Sequence, residues 1–240
     1  MATQTCRWHY ASDDGAFLRQ AAAVVLATAE SAIRERGRFH LVLAGGNTPR
    51  RLYEALRAAQ ADWTAWHLYF GDERCVPEDD PERNSRMAFD AWLSHVPVPP
   101  AQIHVIQGEL GARAAAAAYA ASLRGLGDFD LVLLGLGEDG HTASLFPGHD
   151  WGASADSADA LPVVDAPKPP PERVTLSAAR LSRAGKVLFL VSGAAKRRAL
   201  ADWRSGRAIP AAAIRPPAGV DMLVSAELLA PAAANPNGAQ

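Results

Sequence analysis

Three glycines surround an acid and a histidine in the segment Gly135-Leu136-Gly137-Glu138-Asp139-Gly140-His141-Thr142. Asp139 and His141 stand two positions apart, and alternate side chains of an extended loop point the same way. Asp139 could therefore hold His141 or share its ligand, and a histidine titrates in the range that suits a general base near neutral pH. The alternative is a structural histidine that caps the next helix. The three flanking glycines, Gly135, Gly137 and Gly140, favour catalysis, because such glycines are costly unless the backbone needs special angles or close approach.

A second cluster, Gly45-Gly46-Asn47-Thr48-Pro49, stands where a predicted strand meets a predicted helix. Its glycines let the backbone approach a ligand, and the free N–H groups at a helix start attract an anion. The hydroxyl of Thr48 could add a further donor. The same residues could form only a tight turn with a polar cap. The sequence here is neither a Walker loop nor GxGxxG, so it does not indicate a nucleotide.

Three cationic side chains are candidates to bind an anion. Arg74 follows Asp72-Glu73 and could fork onto a phosphate or carboxylate with Asp72 or Glu73 orienting it, or form only a surface ion pair. Lys196 follows Ser192-Gly193 in the first turn of a predicted helix, where a cation is disfavoured unless an anion lies between it and the helix dipole. Arg173 ends a long Pro-rich segment and is either a third phosphate ligand or an exposed loop arginine.

Strand and helix patterns alternate along the chain. Helices are predicted over about 13–36, 50–59, 84–93, 112–123 and 194–203, strands over 39–43, 66–70, 103–106, 129–134, 174–176, 187–191 and 220–224, a surface loop over about 148–172 and a frayed tail over about 230–240. This order predicts one α/β domain, residues 1–240, with a mostly parallel sheet and helices on both faces. Ligands of such sheets bind beyond the carboxyl ends of the strands, where every cluster above falls.

Composition narrows the classes of function. The 240 residues carry 24 Lys and Arg against 26 Asp and Glu, a balance that argues against nucleic acid as a partner. The two cysteines, Cys6 and Cys75, predict a reducing, cytoplasmic setting. We expect no secretory signal and no membrane partner, because no apolar run reaches the ~18 residues of a membrane helix. No metal or other cofactor is expected, since HExxH and paired Cys/His spacings are missing.

Taken in order, the clusters resemble the 6-phosphogluconolactonase family. The matching motifs are Ala44-Gly45-Gly46-Asn47-Thr48-Pro49, Gly71-Asp72-Glu73-Arg74-Cys75-Val76-Pro77, Gly135 to Pro147, Arg173-Val174-Thr175-Leu176 and Ser192-Gly193-Ala194-Ala195-Lys196. The resemblance implies a modified Rossmann-like fold, shared with sugar-phosphate isomerases, and hydrolysis of 6-phospho-D-glucono-1,5-lactone in the oxidative pentose phosphate pathway. It implies His141 as general base beside Asp139. It also implies a phosphate site of Arg74, Arg173, Lys196, Gly45, Gly46, Asn47 and Thr48, with Asp72, Gly137 and Gly140 lining the rest.

Lactone hydrolysis agrees with these residue types. A lactone is an activated ester, so attack by water needs a base and charge stabilisation rather than a covalent nucleophile, and no GxSxG elbow occurs. Three positions depart from the family pattern: Ala44 and Asn47 stand where serines are usual, and Arg83 replaces the serine of a Ser-Asn pair. The Ala44 and Asn47 changes question a side-chain contact to phosphate but not the backbone donors. Arg83 is expected to be solvated.

Two other functions remain open on the sequence. A glucosamine-6-phosphate deaminase would share the phosphate loop and the Asp-Gly-His core, but its motif continues into a segment with a catalytic glutamate, whereas residues 142–147 carry no acid. A sugar-phosphate sensing module normally follows a helix-turn-helix, for which the dozen residues before the first predicted helix are too few. The oligomeric state, monomer or small homo-oligomer, is left open. So is the role of the 148–172 loop, which could close over substrate or merely connect strands.

Overall fold

The structure, a computed structural model, describes residues 4–229, and the predicted frayed tail over 230–240 lies outside them. The strands are β1 Cys6–Ala11, β2 Phe39–Leu43, β3 Trp66–Phe70, β4 Asp72–Arg74, β5 Ile103–His104, β6 Phe129–Gly135, β7 Ala160–Val163, β8 Arg173–Leu176, β9 Ala184–Val191 and β10 Val220–Ser225. The α-helices are α1 Asp14–Arg36, α2 Asn47–Leu56, α3 Asn84–Ala91, α4 Ala112–Ser122, α5 Ala178–Ser182 and α6 Arg197–Arg204.

Seven strands form one parallel sheet in the order β1-β10-β9-β6-β2-β3-β5. The predicted parallel α/β architecture is therefore confirmed. The central strands are mostly apolar because both of their faces are covered, and β2 is buried along its whole length. Strand order reverses between β2 and β6, from which the chain builds outward in opposite directions. The loops after these two strands therefore border a crevice at the carboxyl edge of the sheet.

A second, antiparallel sheet of three short strands, β4-β8-β7, was not predicted. Strand β7 lies inside the segment 148–172, which the composition had indicated to be a loop. Arg173 is the first residue of β8 and pairs in register with Arg74 of β4, so it is not a loop arginine. Strand β1 and helix α5 were missed as well. Strands of three or four residues with charged or proline members give too few positions for a period to show.

The first helix has the ends that its sequence predicts. Asp13 accepts a hydrogen bond from the Ala16 N–H at 2.7 Å, and Gly37 ends the helix in the left-handed conformation, with φ of 71°. By length and mean hydropathy α1 is the one helix among residues 4–229 that could cross a membrane. Its apolar face instead packs on the sheet, where Phe17 and Val25 are fully covered.

Two buried tyrosines hold the strand ends from which the polar loops leave. The Tyr53 hydroxyl accepts from the Ala44 N–H at 2.9 Å and donates to the Ala44 carbonyl at 2.8 Å. Tyr119 makes the same pair of bonds to Phe70, at 2.9 and 3.1 Å. Each hydroxyl satisfies backbone groups that the end of a strand would otherwise leave unpaired in the interior. The loops after β2 and β3 thus start from fixed points.

Candidate active site

A cavity of about 230 Å³ lies at the carboxyl edge, where the strand order reverses. We call it the site cavity. Ten residues predicted from the sequence line it: Gly45, Gly46, Asn47, Thr48, Asp72, Arg74, Gly137, His141, Arg173 and Lys196. Asp139 and Gly140 do not line it and lie behind the histidine in the same loop. Segments far apart in the chain therefore meet at one place.

The His141 ring is held from behind by Asp139. Its Nδ1 lies 2.5 Å from Asp139 Oδ1, and the His141 N–H donates to the same oxygen at 3.2 Å. The loop closes on itself, since the Gly137 N–H donates to the His141 carbonyl at 2.7 Å. The Nε2 of the imidazole makes no hydrogen bond to any residue from 4 to 229, and the ring lines the site cavity. One nitrogen is thus fixed and the other faces the place where a substrate would lie.

Burial and charge act in opposite directions on this pair. Burial lowers the pKa of His141 below its usual 6.5, and the hydrogen bond and charge of Asp139 offset only part of that effect. Burial also acts to raise the pKa of Asp139, but the bond and charge of His141 outweigh it, so that pKa is lowered. The imidazole is therefore neutral and the carboxylate ionised near neutral pH. A neutral imidazole beside a carboxylate is the form that accepts a proton from water.

Glycine is required at two positions of the histidine loop. A Cβ at Gly137 would lie 2.0 Å from His141 Nδ1, so any side chain there would displace the ring. Gly140 has φ of +85°, and a Cβ there would meet Ile209 at 2.8 Å. On its other side the His141 ring contacts Phe146, at 4.8 Å between centroids. The glycines that marked this motif in the sequence serve close packing around the imidazole.

A buried network joins the loops after β2, β3 and β6. Asp72 accepts from Asn84 Nδ2 at 3.0 Å on one carboxylate oxygen and from the Ser144 hydroxyl at 2.6 Å on the other. A Cβ at Gly45 would lie 2.0 Å from Asn84 Oδ1, so this glycine admits the asparagine. Asn84 lines the site cavity but was not predicted as a site residue. Its position at a helix start after a polar loop is the signal that could have indicated it.

Two of the predicted phosphate ligands belong to the antiparallel sheet. Arg74 donates from Nη1 to the Glu82 carbonyl at 2.6 Å, while its Nε is buried with no partner among residues 4–229. Arg173 was expected as an exposed loop residue or a ligand, and it is only 5% exposed. Its guanidinium donates to the carbonyls of Lys168, Pro169 and Pro170 at 3.0–3.1 Å. These carbonyls hold the positively charged guanidinium in a fixed position on the cavity wall.

The remaining cationic contributors are Lys196 and the start of α2. Lys196 ends a short turn, Ala194–Lys196, and its Nζ lies 3.9 Å from Glu138, close enough for only a weak ion pair. Helix α2 begins at Asn47 rather than at the predicted Arg50, follows Gly46 with φ of 101°, and has neither a side-chain cap nor an acid in its first turn. Its free N–H groups and positive end therefore face the cavity beside the lysine. This arrangement suits a phosphate group.

Arg83 is buried, contrary to the expectation that it is solvated. It is 2% exposed, lies 3.4 Å from Glu73, donates to Glu109 at 2.9 Å and also bonds the carbonyls of Val76 and Ile106. Glu73 in turn accepts from the N–H groups of Arg74, Asn84 and Ser85. The Arg83–Glu73 pair thus ties α3 to β4 beneath the site and takes no part in binding.

The charge of Lys168, in the segment predicted as a loop, also acts to lower the pKa of His141. That segment therefore runs close to the site. Among residues 4–229, no group of three His, Cys, Asp or Glu side chains is placed to hold a metal ion.

The fold and the site together define a class: α/β proteins with a parallel sheet whose strand order reverses beside a histidine–aspartate pair and a set of cationic side chains. The chain belongs to the family described as glucosamine-6-phosphate isomerases/6-phosphogluconolactonase, whose sequence model matches residues 12–223. It is 39% identical over 218 residues to the 6-phosphogluconolactonase of Mycobacterium leprae, covering 84% of this chain and 88% of that protein. It is 36% identical over 200 residues to the chloroplastic 6-phosphogluconolactonase 3 of Arabidopsis thaliana, covering 75% of this chain but 61% of the plant protein.

Solved structures show the same fold. The 6-phosphogluconolactonase of Thermotoga maritima superposes with a TM-score of 0.85 at 27% identity, covering 92% of this chain and all of that chain. A monomeric glucosamine-6-phosphate deaminase superposes with a TM-score of 0.77 at 22% identity. At that identity the deaminase shows the fold alone. The fold therefore does not separate hydrolase from deaminase, and the residues of the site must do so.

Proposed function

We propose that this protein is an enzyme that hydrolyses 6-phospho-D-glucono-1,5-lactone to 6-phospho-D-gluconate, a step of the oxidative pentose phosphate pathway. The mycobacterial relative, covered over most of its length, is named for this activity. One observation carries the proposal: a neutral histidine with a carboxylate on Nδ1 and a set of anion donors line a single cavity.

His141 acts as the general base. Its Nε2 takes a proton from a water molecule as the water oxygen bonds to the lactone carbonyl carbon. When the tetrahedral intermediate collapses, the bond from that carbon to the ring oxygen breaks, and the imidazolium returns the proton to the ring oxygen. Asp139 holds the ring in position and stabilises the imidazolium between the two transfers. No covalent enzyme intermediate is needed.

The phosphate group is bound by Arg74, Arg173, Lys196 and the first turn of α2, including Asn47 and Thr48. Binding energy from this remote group fixes the carbonyl beside His141 and so raises the rate as well as the affinity. The replacement of serines by Ala44 and Asn47 leaves the backbone donors of α2 available for this role. Asp72, held by Asn84 and Ser144, is the one carboxylate that residues 4–229 place on the cavity wall.

The deaminase alternative requires a second acid in the site. Residues 142–147 follow the histidine without bringing one, because none of them is acidic; Thr142 instead bonds the Gly135 carbonyl and Ser144 bonds Asp72. The sensing-module alternative would not need the short Asp139–His141 bond. The lactonase reaction uses the histidine and the anion donors of the cavity wall and is the function that the site supports best.

The test is a direct assay. Purified protein should consume 6-phosphogluconolactone far faster than spontaneous hydrolysis, and it should release no ammonia from glucosamine 6-phosphate. A lactone decay equal to that of the buffer control would contradict the proposal. Ammonia release would instead favour the deaminase.

We further propose that the enzyme works in the cytoplasm as a single domain, with the sugar-phosphate lactone as its ligand and no nucleic-acid or membrane partner. The near-neutral net charge of −2 supports the absence of nucleic acid. Two unpaired cysteines, Cys6 and Cys75, support a reducing compartment. One hydrophobic core shared by both sheets supports the single domain.

A further inference from the structure

A second cavity, of about 670 Å³, opens at the amino edge of the parallel sheet, opposite the site cavity. We call it the amino-edge cavity. It lies between the segment that joins α1 to β2, the loop after α4 and the first residues of β6 and β9. The charged and titratable residues that line it are Arg36, Arg38, Arg124, His40, Asp128 and Asp130. Nothing in the proposed lactonase reaction uses these residues.

The charges of this cavity do not cancel. Arg36 and Asp130 are paired at 2.5 Å, and Asp130 also accepts from the His40 N–H at 2.7 Å, so this aspartate is fully engaged. The side chains of Arg38 and Arg124 form no hydrogen bond or ion pair with any residue in the described range 4–229. Asp128 is the remaining acid on the wall. Two unpaired guanidinium groups against one carboxylate leave an excess of positive charge.

The recessed group in the wall is the imidazole of His40, which is only 9% exposed. Its Nδ1 lies 3.1 Å from the Tyr69 hydroxyl. Its Nε2 has no partner within residues 4–229 but is not among the polar atoms sealed from solvent. When Tyr69 donates to Nδ1, the neutral ring carries its proton on Nε2, which is then an unpaired donor on a buried residue of the cavity wall. The charge of Arg38 lowers the pKa of both His40 and His67, as expected of a guanidinium close to the two rings.

Helix ends explain part of this basic edge. Helices α1 and α4 end here, at Arg36 and Ser122, and basic residues near the carboxyl ends of helices offset the negative end of the dipole. That accounts for Arg36, which lies in the last turn of α1. It does not account for the buried His40 donor, or for the side chains of Arg38 and Arg124, which bond none of the terminal carbonyls within residues 4–229.

We propose that the amino-edge cavity binds a small oxyanion of the phosphate type, with Arg38 and Arg124 as its cationic ligands and His40 Nε2 as a neutral donor. A small oxyanion is favoured because the imidazole is recessed, so that only a compact group reaches it. The five residues of β2 separate this position from the site cavity by roughly 15 Å. An anion bound here would therefore not compete with substrate.

The test uses inorganic phosphate as the probe and side-chain nitrogen spectra of the histidines as the readout, because phosphate also has donors in the site cavity. Phosphate should shift the His40 Nε2 signal to saturation. In the double variant Arg38→Gln/Arg124→Gln the dissociation constant from this signal should rise about tenfold or more, whereas Lys196→Ala should leave it unchanged. Lactone turnover without phosphate should be the same in the double variant and the wild type.

A second arm replaces phosphate with 6-phosphogluconate. A shift of His40 with both anions indicates a site for sugar phosphates, and a shift with phosphate alone indicates a site for the free ion; either supports the proposal. Both substituted arginines are exposed, so the variant should keep the melting temperature of the wild type. The proposal is overturned if phosphate shifts the His141 signals but not those of His40, or if the double variant binds as the wild type does. Neither result bears on the lactonase assay.

Discussion

Burial lowers the pKa of His141 at the carboxyl edge of the sheet and of His40 at the amino edge, but the two rings have different partners. His141, at the carboxyl edge, has a carboxylate on Nδ1 that stabilises the imidazolium. His40, at the amino edge, has the Tyr69 hydroxyl there, and burial and the nearby charge of His67 lower its pKa to about 4. A base must keep its proton through the reaction before returning it. Burial weakens that ability, and the carboxylate of Asp139 restores part of it.

The two edges also differ in how closely the backbone approaches neighbouring side chains. At the carboxyl edge, Gly45 and Gly137 admit neighbouring side chains at distances that no Cβ would allow, so the functional groups crowd around an open cavity. At the amino edge, rings stack on the sheet face, with 5.0 Å between His40 and His67 and 4.4 Å between Tyr69 and His104. Close approach of the backbone to side chains therefore distinguishes the carboxyl edge, which holds the site cavity.

The largest expected difference between the two edges is in kcat, when a histidine is replaced at the carboxyl edge rather than at the amino edge. His141→Ala should lower kcat by ~10²–10⁴ because the water loses its base, with little change in the fold. His67→Gln at the amino edge is the matched control and should leave kcat unaltered. Steady-state assays of lactone hydrolysis measure both. A His141→Ala enzyme of near-normal turnover would remove the base assignment.

Adding a methyl group next to the imidazole should lower kcat nearly as much. Gly137→Ala places a Cβ 2.0 Å from His141 Nδ1, so the ring must leave Asp139, and kcat should fall about 10²-fold. Gly127→Ala is the control, because a Cβ there meets nothing within 4 Å and the residue lies at the amino edge. Equal kcat values for the two variants would show that the ring position does not matter.

His40 at the amino edge should make the free energy of unfolding depend on pH in the acid range. The pKa of His40 lies below its value of about 6.5 in the unfolded chain, so between pH 6.5 and 4 the unfolded state binds a proton that the folded state does not. The stabilisation is complete above pH 6.5 and declines as pH falls, by on the order of 2 kcal/mol. The groups that face the ring are His67, His104, Arg38 and Asp130.

Denaturant unfolding of His40→Gln at a series of pH values measures this contribution. The variant should lose less stability than the wild type between pH 6.5 and 4, whatever its stability at neutral pH. Parallel curves for the two proteins would exclude His40 as the source.

A smaller effect is expected from the phosphate cradle. Lys196→Ala removes one of several anion donors and should raise KM for the phosphorylated lactone about tenfold, with a smaller change in kcat. Lys186→Ala, beside Asp221 and away from the site cavity, is the matched control. An unaltered KM in Lys196→Ala would place the phosphate elsewhere in the cavity.

The residues that line the site cavity were largely predictable from the sequence, but the contacts that support them were not. Glycines beside Asp139 and His141 carry a conformational cost that points to close packing. Long, mostly apolar strands such as β6 have enough residues for their apolar pattern to be recognised. The burial of Arg83 and Arg173 could not be predicted, because it depends on Glu73 and on the carbonyls of residues 168–170, which only the folded antiparallel sheet brings near. Short strands and buried ion pairs leave no periodic trace.

The most direct test of the central claim is the pH dependence of kcat/KM, corrected for spontaneous lactone hydrolysis, in the wild type and in Asp139→Asn. For a neutral His141 base, kcat/KM should fall as pH drops through a pKa below 6.5. Because the charge of Asp139 raises the pKa of His141, the variant should show that limb at lower pH, together with a reduced plateau. A wild-type profile that is flat down to pH 4, or a limb that stays in place in Asp139→Asn, would contradict the account.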